Sequence, residues 1–391
     1  MSEEMTLTDK KIFTPFNIIC GIIIICGLIL TILRFTKGLG AVTNLDHNNP
    51  WGIWIGFDLL CGVALAAGGY VTSAACYIFG LKRFHSAVRP AILTAFLGYA
   101  LVVLALHYDV GQPWRLPYPI FYSQGTSSLL FEVALCVFLY LSVLFVEYSP
   151  AALEWLGFKK TRNLIVRLTL VLTIFGVILS TLHQSSLGAL FMIAPSKLHP
   201  LWYSEYLPIY FFISSIFAGL SMVIFEGSLS HRFLHHKMDE SHLAESRGVA
   251  LGFAKAASFI MMAYVGIKLI GIAIDNQWHY LTTSWGQWYL LEIIGFVMLP
   301  AYLYALAARE KKLILARWAS VIAVLGIVLN RLNISLIAFN WHLPSAQRYF
   351  PSWMEIATSI FIVTIGVVAY RFIATHMPIL YEHPEYVEDH H

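Results

Sequence analysis

The chain has 391 residues, of which 58% are hydrophobic and 12% charged, with a mean hydropathy of +0.71 and a formal net charge of +3. Soluble domains carry about 25% charged residues, so this composition excludes a water-soluble globular protein, and so small a net charge gives no basis for nucleic-acid binding. The apolar runs reach twenty residues and more, the length of a membrane-crossing helix rather than of the short alternating strands of a barrel.

The chain therefore reads as an all-α membrane protein with ten spans, near 16–35, 52–80, 90–109, 127–148, 164–188, 208–230, 249–275, 287–308, 318–340 and 353–377. No small-residue cleavage site follows the first apolar run, so it is kept as a helix and not a signal peptide. A short N-terminus (1–15) and an acidic, His-rich tail (378–391) flank one polytopic domain (16–377), and the tail's composition predicts disorder. Fifteen Lys and Arg lie in the segments on the N-terminal side, four in the opposite loops and six within spans. The positive-inside rule then puts both termini in the cytoplasm of a bacterial inner membrane, with the opposite loops in the periplasm. Those loops are rich in aromatics, including Trp114, Trp202, Trp278, Trp285, Trp341 and Trp353; an interfacial belt accounts for most of them and a docked partner for the surplus. The longest extramembrane segment, 231–248, holds His231, His235, His236 and His242 among acidic residues and reads as a solvated loop before a metal site. The five cysteines (Cys20, Cys26, Cys61, Cys76, Cys136) sit in apolar runs with no Cys-x-x-Cys pair, so they read as small buried hydrophobes and not as cluster ligands.

The second span organises the polar residues. It starts from the turn Asn48-Asn49-Pro50, passes Trp51 and Trp54, and carries Asp58 about two turns inside. A carboxylate there costs roughly 2.5–3.5 kcal/mol and calls for a partner or a cavity. The small residues Gly62, Ala64, Ala66, Ala67, Gly68 and Gly69 would let a neighbouring helix approach closely. Placed by depth, His107, Asp109, Glu132, His183, Gln184, Glu292, Asn330, Arg331, Asn333 and Glu355 join Asp58 in the outer half, whereas Glu226, Lys255, Arg371 and His376 lie in the inner half. This bias predicts a polar pocket near the outer face. Narrower readings stand beside it: His183 bonding a neighbouring carbonyl, and Arg331 serving as counter-ion of Asp58 or Glu292. An internal echo links Trp51-Gly52-x-Trp54 with Asp58 and Trp285-Gly286-x-Trp288 with Glu292, the carboxylate falling seven residues after the first tryptophan in both.

Three functions fit such a pocket. Quinone chemistry needs an apolar channel, hydrogen bonds to the ring oxygens and a nearby base. A b-type cytochrome needs two facing histidines, for which His107 and His183 are the available pair. An ion transporter would use Glu226 and Lys255 with the outer cluster, but paired broken helices are not evident in the sequence.

The segments Pro50-Trp51-Gly52-Ile53-Trp54 with Asp58, Asp109-Val110-Gly111-Gln112-Pro113-Trp114-Arg115, Phe131-Glu132, His183-Gln184-Ser185-Ser186-Leu187-Gly188, Phe225-Glu226-Gly227 and Pro351-Ser352-Trp353-x-Glu355 resemble the polysulfide reductase NrfD-type membrane subunits. The nearest branch is the HybB-like, quinone-reactive subunit of periplasm-facing nickel–iron hydrogenase, and the likeness covers nearly the whole chain. Asn330-Arg331-x-Asn333 also resembles subunits that work with a molybdoenzyme or a multihaem cytochrome. The resemblance implies two four-helix bundles plus flanking helices, no haem or iron–sulfur cluster in this chain, and a menaquinone or ubiquinone site near the outer face. It further implies a periplasmic iron–sulfur, ferredoxin-like partner that passes electrons between that site and the large and small hydrogenase subunits. In this expectation Asp58, Asp109, Glu132 and His183 bind or protonate the quinone. Trp54, His107, Gln184, Asn330, Arg331 and Glu355 line the site, and Glu226, Glu292 and Lys255 carry protons.

Overall fold

The computed structural model describes residues 14–381, so residues 1–13 and 382–391, with most of the expected disordered tail, lie outside the described residues. Ten helical spans are long and apolar enough to cross a membrane: Pro15–Lys37, Trp54–Ile78, Lys82–Asp109, Leu129–Leu156, Thr169–Met192, Leu207–Phe233, His242–Ile274, Ser284–Glu310, Leu313–Ile337 and Trp353–His376. The number agrees with the sequence reading and no strand interrupts them among the described residues, as expected of an all-α membrane protein. Ten alternating spans bring the start of the first and the end of the tenth to one face, called here the terminal face.

Local chemistry sets where the helices begin. Thr14 Oγ1 accepts the amide of Asn17 at 3.2 Å, with Pro15 at the first helical position, where its missing N–H costs nothing. Ser352 and Glu355 form a reciprocal capping box at the start of the tenth span. Asp239 caps a helix, Glu240–Ile274, that starts inside the segment read as a loop, so much of the His-rich stretch is helical. The fourth span also runs past its expected end, through Pro150 to Leu156, and stops at Gly157 with φ +78°, a conformation open to glycine. A separate short helix, Lys159–Arg167, then precedes the fifth span, where one continuous helix was expected.

The second span is not one regular helix. Wide, π-helical turns occupy Trp54–Leu59 and Ala74–Ile78, with a break at Ala66 and Ala67 between them. Two more lie at Leu291–Met298 and Asn333–Ile337. Such turns frequently mark functional positions in membrane and soluble helices alike. Asp58 and Glu292 both fall in them, which adds a backbone feature to the echo between these two helices.

Spans two to five form a closed ring of packed neighbours, as do spans six to nine. The first span packs on the tenth, and the tenth on the third. The rings meet through the fifth and sixth spans and through the second span's contacts with the sixth and ninth. The closest of these approaches is between Gly68 and Gly219, where a Cβ added at Gly219 would stand 2.4 Å from the Gly68 nitrogen. Small residues here let backbone meet backbone, the contact that drives helix association in lipid. At the terminal face, buried Glu154 accepts from both Arg89 nitrogens at 2.9 Å and from Arg162 Nε at 3.0 Å, tying the third and fourth spans to the short helix.

Candidate functional site

The polar residues inside the helices do not form one pocket; they form four sets.

The first set lies where the second and tenth spans meet, away from the terminal face. Ser359 donates to Asp58 Oδ2 at 2.5 Å, and Asp58 is 8% exposed. Trp54 Nε1 donates to the Glu355 carbonyl at 3.2 Å. The Glu355 carboxylate accepts from the amides of Asn44 and Ser352 and from the Tyr349 hydroxyl at 2.5 Å. Glu355, expected to line the ligand site, therefore anchors a helix start, and burial and donation to this carboxylate push the Tyr349 phenol up. Asp109 has an enclosed Oδ1 without a partner; its charged neighbours are Arg34 and Glu355. Arg34 itself donates to the carbonyls of Tyr108 and Val110 at 2.7 and 2.8 Å.

The second set lies inside the first ring. His183 is fully buried, and both its ring nitrogens lack a hydrogen-bond partner. The carbonyl bond offered as its narrower reading is therefore not made. Its ring lies 5.7 Å from that of Tyr99, which meets Tyr140 edge-on at 4.7 Å. Ser180 stands beside both phenols and interacts electrostatically with each, although none of these hydroxyls reaches a well-formed hydrogen bond. Gln184 Nε2 donates to the Val63 carbonyl at 3.0 Å, leaving its Oε1 unpartnered. Buried polar atoms are almost always bonded, so this run of free donors and acceptors is unusual. One turn beyond, Ser186 donates to half-buried Glu132 at 2.6 Å. Toward the terminal face, Thr173 donates to Glu147 at 3.2 Å. Thr173, Gly176, Ser180 and His183 recur at intervals of three and four, one face of a helix. Glu147, a carboxylate within the expected fourth span, was overlooked in the sequence reading; Tyr99 and Tyr140 carried no signal of their own.

The third set is nearer the terminal face. Glu226 accepts from Thr94 and from the Tyr370 hydroxyl, the latter at 2.6 Å. A cavity open at its mouth is lined by Glu226 together with Ser86, His231, His242, Ser246 and Arg317. Two of the four loop histidines thus line a cavity, and among the described residues no cluster of His, Cys, Asp and Glu forms a metal site.

The fourth set lies inside the second ring. Glu292, 1% exposed, accepts from Trp202 Nε1 at 2.8 Å, Asn330 Nδ2 at 2.6 Å and Asn333 Nδ2 at 2.5 Å. Arg331 donates to Asn330 Oδ1 at 2.7 Å and Ser214 at 2.8 Å, and its guanidinium lies 3.9 Å from the Phe211 ring centre. It makes no ion pair with Glu292 or with Asp58: Asn330 stands between it and Glu292, and Cys61 neighbours both Asp58 and Arg331. For Glu292 the direct counter-ion expected from sequence is replaced by a hydrogen-bonded relay through Asn330, and Asp58 is bonded by Ser359 instead. Lys255, expected with Glu226, is exposed on the seventh span; the buried lysine of that span is Lys268. His107 bonds the Val103 carbonyl of its own helix at 2.7 Å and makes no ring contact with His183, so the two do not form a facing pair.

Trp202, expected at a membrane interface, is fully buried, whereas Trp114 and Trp353 are exposed as a belt requires. Beside Trp202, His199 is boxed by Tyr280, Trp285 and Trp341 at 4.8–5.3 Å, and its Nδ1 accepts the Leu201 amide. Burial lowers this imidazole from 6.5 to about 4. It stays neutral in the fold but takes a proton in the unfolded chain, so the stability it supports is present above pH 6.5 and is lost as pH falls toward 4. Between pH 7 and 4 the wild-type thermal midpoint should therefore fall more steeply than that of His199→Phe; parallel curves would refute this.

This is a multi-pass integral membrane protein in which most of the ionisable groups within the spans lie between packed helices. The family model described as "Polysulphide reductase, NrfD" matches residues 41–341, and the chain belongs to that family. A protein of Nitratidesulfovibrio vulgaris Hildenborough is 70% identical over 98% of this chain and 99% of its own length. The "Probable Ni/Fe-hydrogenase 2 b-type cytochrome subunit" of Escherichia coli K12 is 35% identical over 97% of this chain and 95% of that protein. The "Menaquinone reductase, integral membrane subunit" of Nitratidesulfovibrio vulgaris Hildenborough is 27% identical over 92% of this chain and 90% of its own.

Proposed function

We propose that this chain is the quinone-reactive membrane subunit of a respiratory oxidoreductase. Its terminal face is cytoplasmic, and its opposite face docks a periplasmic iron–sulfur partner. The observation that carries the reading is His183 with both nitrogens free, enclosed beside Tyr99, Tyr140, Ser180 and Gln184. A quinone taking two electrons needs two protons and donors for its ring oxygens. Glu132, half-buried and bonded to Ser186, lies a turn inside the fourth span where it can pass a proton to a quinone oxygen, and His183 with the two phenols replenishes it. Asp58 and Asp109 flank the approach from the second and third spans. Glu226, lining the cytoplasmic cavity, is the inner proton carrier, which would couple turnover to proton movement.

The 35% relative's name supports nickel–iron hydrogenase subunits as the partners, with hydrogen oxidation supplying the electrons, and the menaquinone reductase relative supports menaquinone. The test is isolation of the native complex from mild detergent. Recovery of a nickel–iron subunit, an iron–sulfur subunit and extractable quinone, with hydrogen-dependent quinone reduction, is the expected result. A haem absorbance band on this chain, or a complex without quinone-linked electron transfer, would overturn the reading.

A further inference from the structure

The second ring holds a charge arrangement that the proposed quinone route does not use. Three fully ionisable groups are buried there: Glu292, Arg331 and Lys268, at 1%, 1% and 3% exposure. The protonation of two of them follows from their hydrogen bonds. Asn330 Oδ1 accepts from Arg331 Nη1, and Asn333 Oδ1 accepts from Trp288 Nε1 at 2.9 Å, so both amides are fixed with their NH₂ groups toward Glu292. The Trp202 indole can only donate. Glu292 is thus surrounded by donors, the setting of an ionised carboxylate, and it serves as a fixed anion. Arg331 is a permanent cation. The two balance each other through Asn330, and Lys268 is left over.

Lys268 has no carboxylate of its own. Its ammonium makes no hydrogen bond and rests on aromatic faces, 4.3 Å from the centre of Tyr210 and 5.8 Å from those of Tyr264 and Tyr289. The groups facing it are Tyr210 from the sixth span, Tyr264 from its own, Tyr289 and Glu292 from the eighth, and Arg331 from the ninth. Asp275 and Tyr206 lie behind Tyr210. Cation–π contacts hold an ammonium without requiring it, because the same tyrosine faces accept an uncharged amine as apolar walls. An unpaired lysine in hydrocarbon is costly as a cation and marks function by default.

We propose that Lys268 is a proton-exchanging site of the second ring, Lys268–NH₃⁺ ⇌ Lys268–NH₂ + H⁺, poised against the fixed Glu292–Asn330–Arg331 relay. Arg331 and Asp58 are both electrostatic neighbours of Cys61, so a change of charge at Asp58 acts on the Arg331 end of the relay through space, with no hydrogen bond between them. The Lys268 proton offsets the charge that arrives with electrons at the quinone. This last step rests on the quinone reading; the exchange itself does not.

The test compares wild type, Lys268→Arg, which is always charged, and Lys268→Met, which never is. In the purified complex, thermal midpoint is followed from pH 5 to 10. The wild-type curve should bend in a pH range where both variant curves run parallel; three parallel curves would sink the proton-exchange site. In the same preparations, both variants should slow quinone-linked turnover at least tenfold and lose the wild-type pH limb, with partner-catalysed dye reduction unchanged. Wild-type rates in Lys268→Arg would reduce Lys268 to a structural cation. If wild type itself lacks quinone-linked turnover, the quinone reading fails while the midpoint curves still decide the exchange. Lys268→Gln replaces Lys268→Met should the latter fail to assemble.

Discussion

Replacing His183 by alanine is expected to lower quinone-linked electron transfer by about 10²–10⁴-fold, the contribution typical of a general acid–base group. Reduction of an artificial dye by the catalytic partner should be unaffected, because it bypasses this chain. The expectation rests on the environment of the ring. A histidine that tied spans together through hydrogen bonds would unfold or loosen the subunit when removed. His183 makes no such bond, and both its nitrogens are without a partner. Its loss removes a proton carrier and leaves a small cavity, which costs stability without dissolving the ring. His183→Gln keeps a hydrogen-bonding side chain but cannot carry a proton at neutral pH, and should be nearly as slow as alanine. Full quinone turnover in either variant would show that protons reach the quinone by another route. Tyr99→Phe is the companion experiment, since its hydroxyl is among those offered to the same chain.

The second large effect is structural. Gly219→Val should abolish accumulation of the folded subunit in membranes. A Cβ at this position would lie 2.4 Å from the Gly68 nitrogen and 2.6 Å from the Ala67 carbonyl carbon, so backbone, not a movable side chain, blocks it. Overpacking of a flexible site costs about 1–3 kcal/mol; here the second and sixth spans must separate, which loosens one of the contacts that join the two rings. Gly219→Ala should be milder but still destabilising, whereas alanine at Gly227, with nothing within 4 Å of an added Cβ, should be neutral. Level amounts of protein for Gly219→Val and wild type in membrane fractions would contradict the close approach.

The small-residue run on the second span forecast such an approach, and Gly68 is where it occurs. The number of spans was legible for the same reason that it is in most membrane proteins: hydrocarbon demands long, internally bonded apolar helices, and length and composition report them directly. Asp58, Glu226, His183 and Glu292 were likewise legible, since a charged or polar group within an apolar run is conspicuous.

Their partners were not. Asp58 bonds Ser359, more than 300 residues away; Glu292 bonds Trp202, Asn330 and Asn333; Glu226 bonds Thr94 and Tyr370. Depth, the one coordinate obtainable from topology, placed Asp58, His183 and Glu292 at a common outer level and so suggested one pocket, whereas the ring arrangement separates them. Lys255 and Lys268 make the same point within a single helix. In a soluble helix the polar face marks the outside, but a helix in lipid is apolar all round, and its pattern does not tell the lipid side from the protein side. Sequence alone therefore determined that this chain spans a membrane ten times, belongs among NrfD-type subunits and carries ionisable groups within its spans. Only the tertiary structure decided which of those groups point inward and which of them meet, because that depends on how each span is rotated against its neighbours.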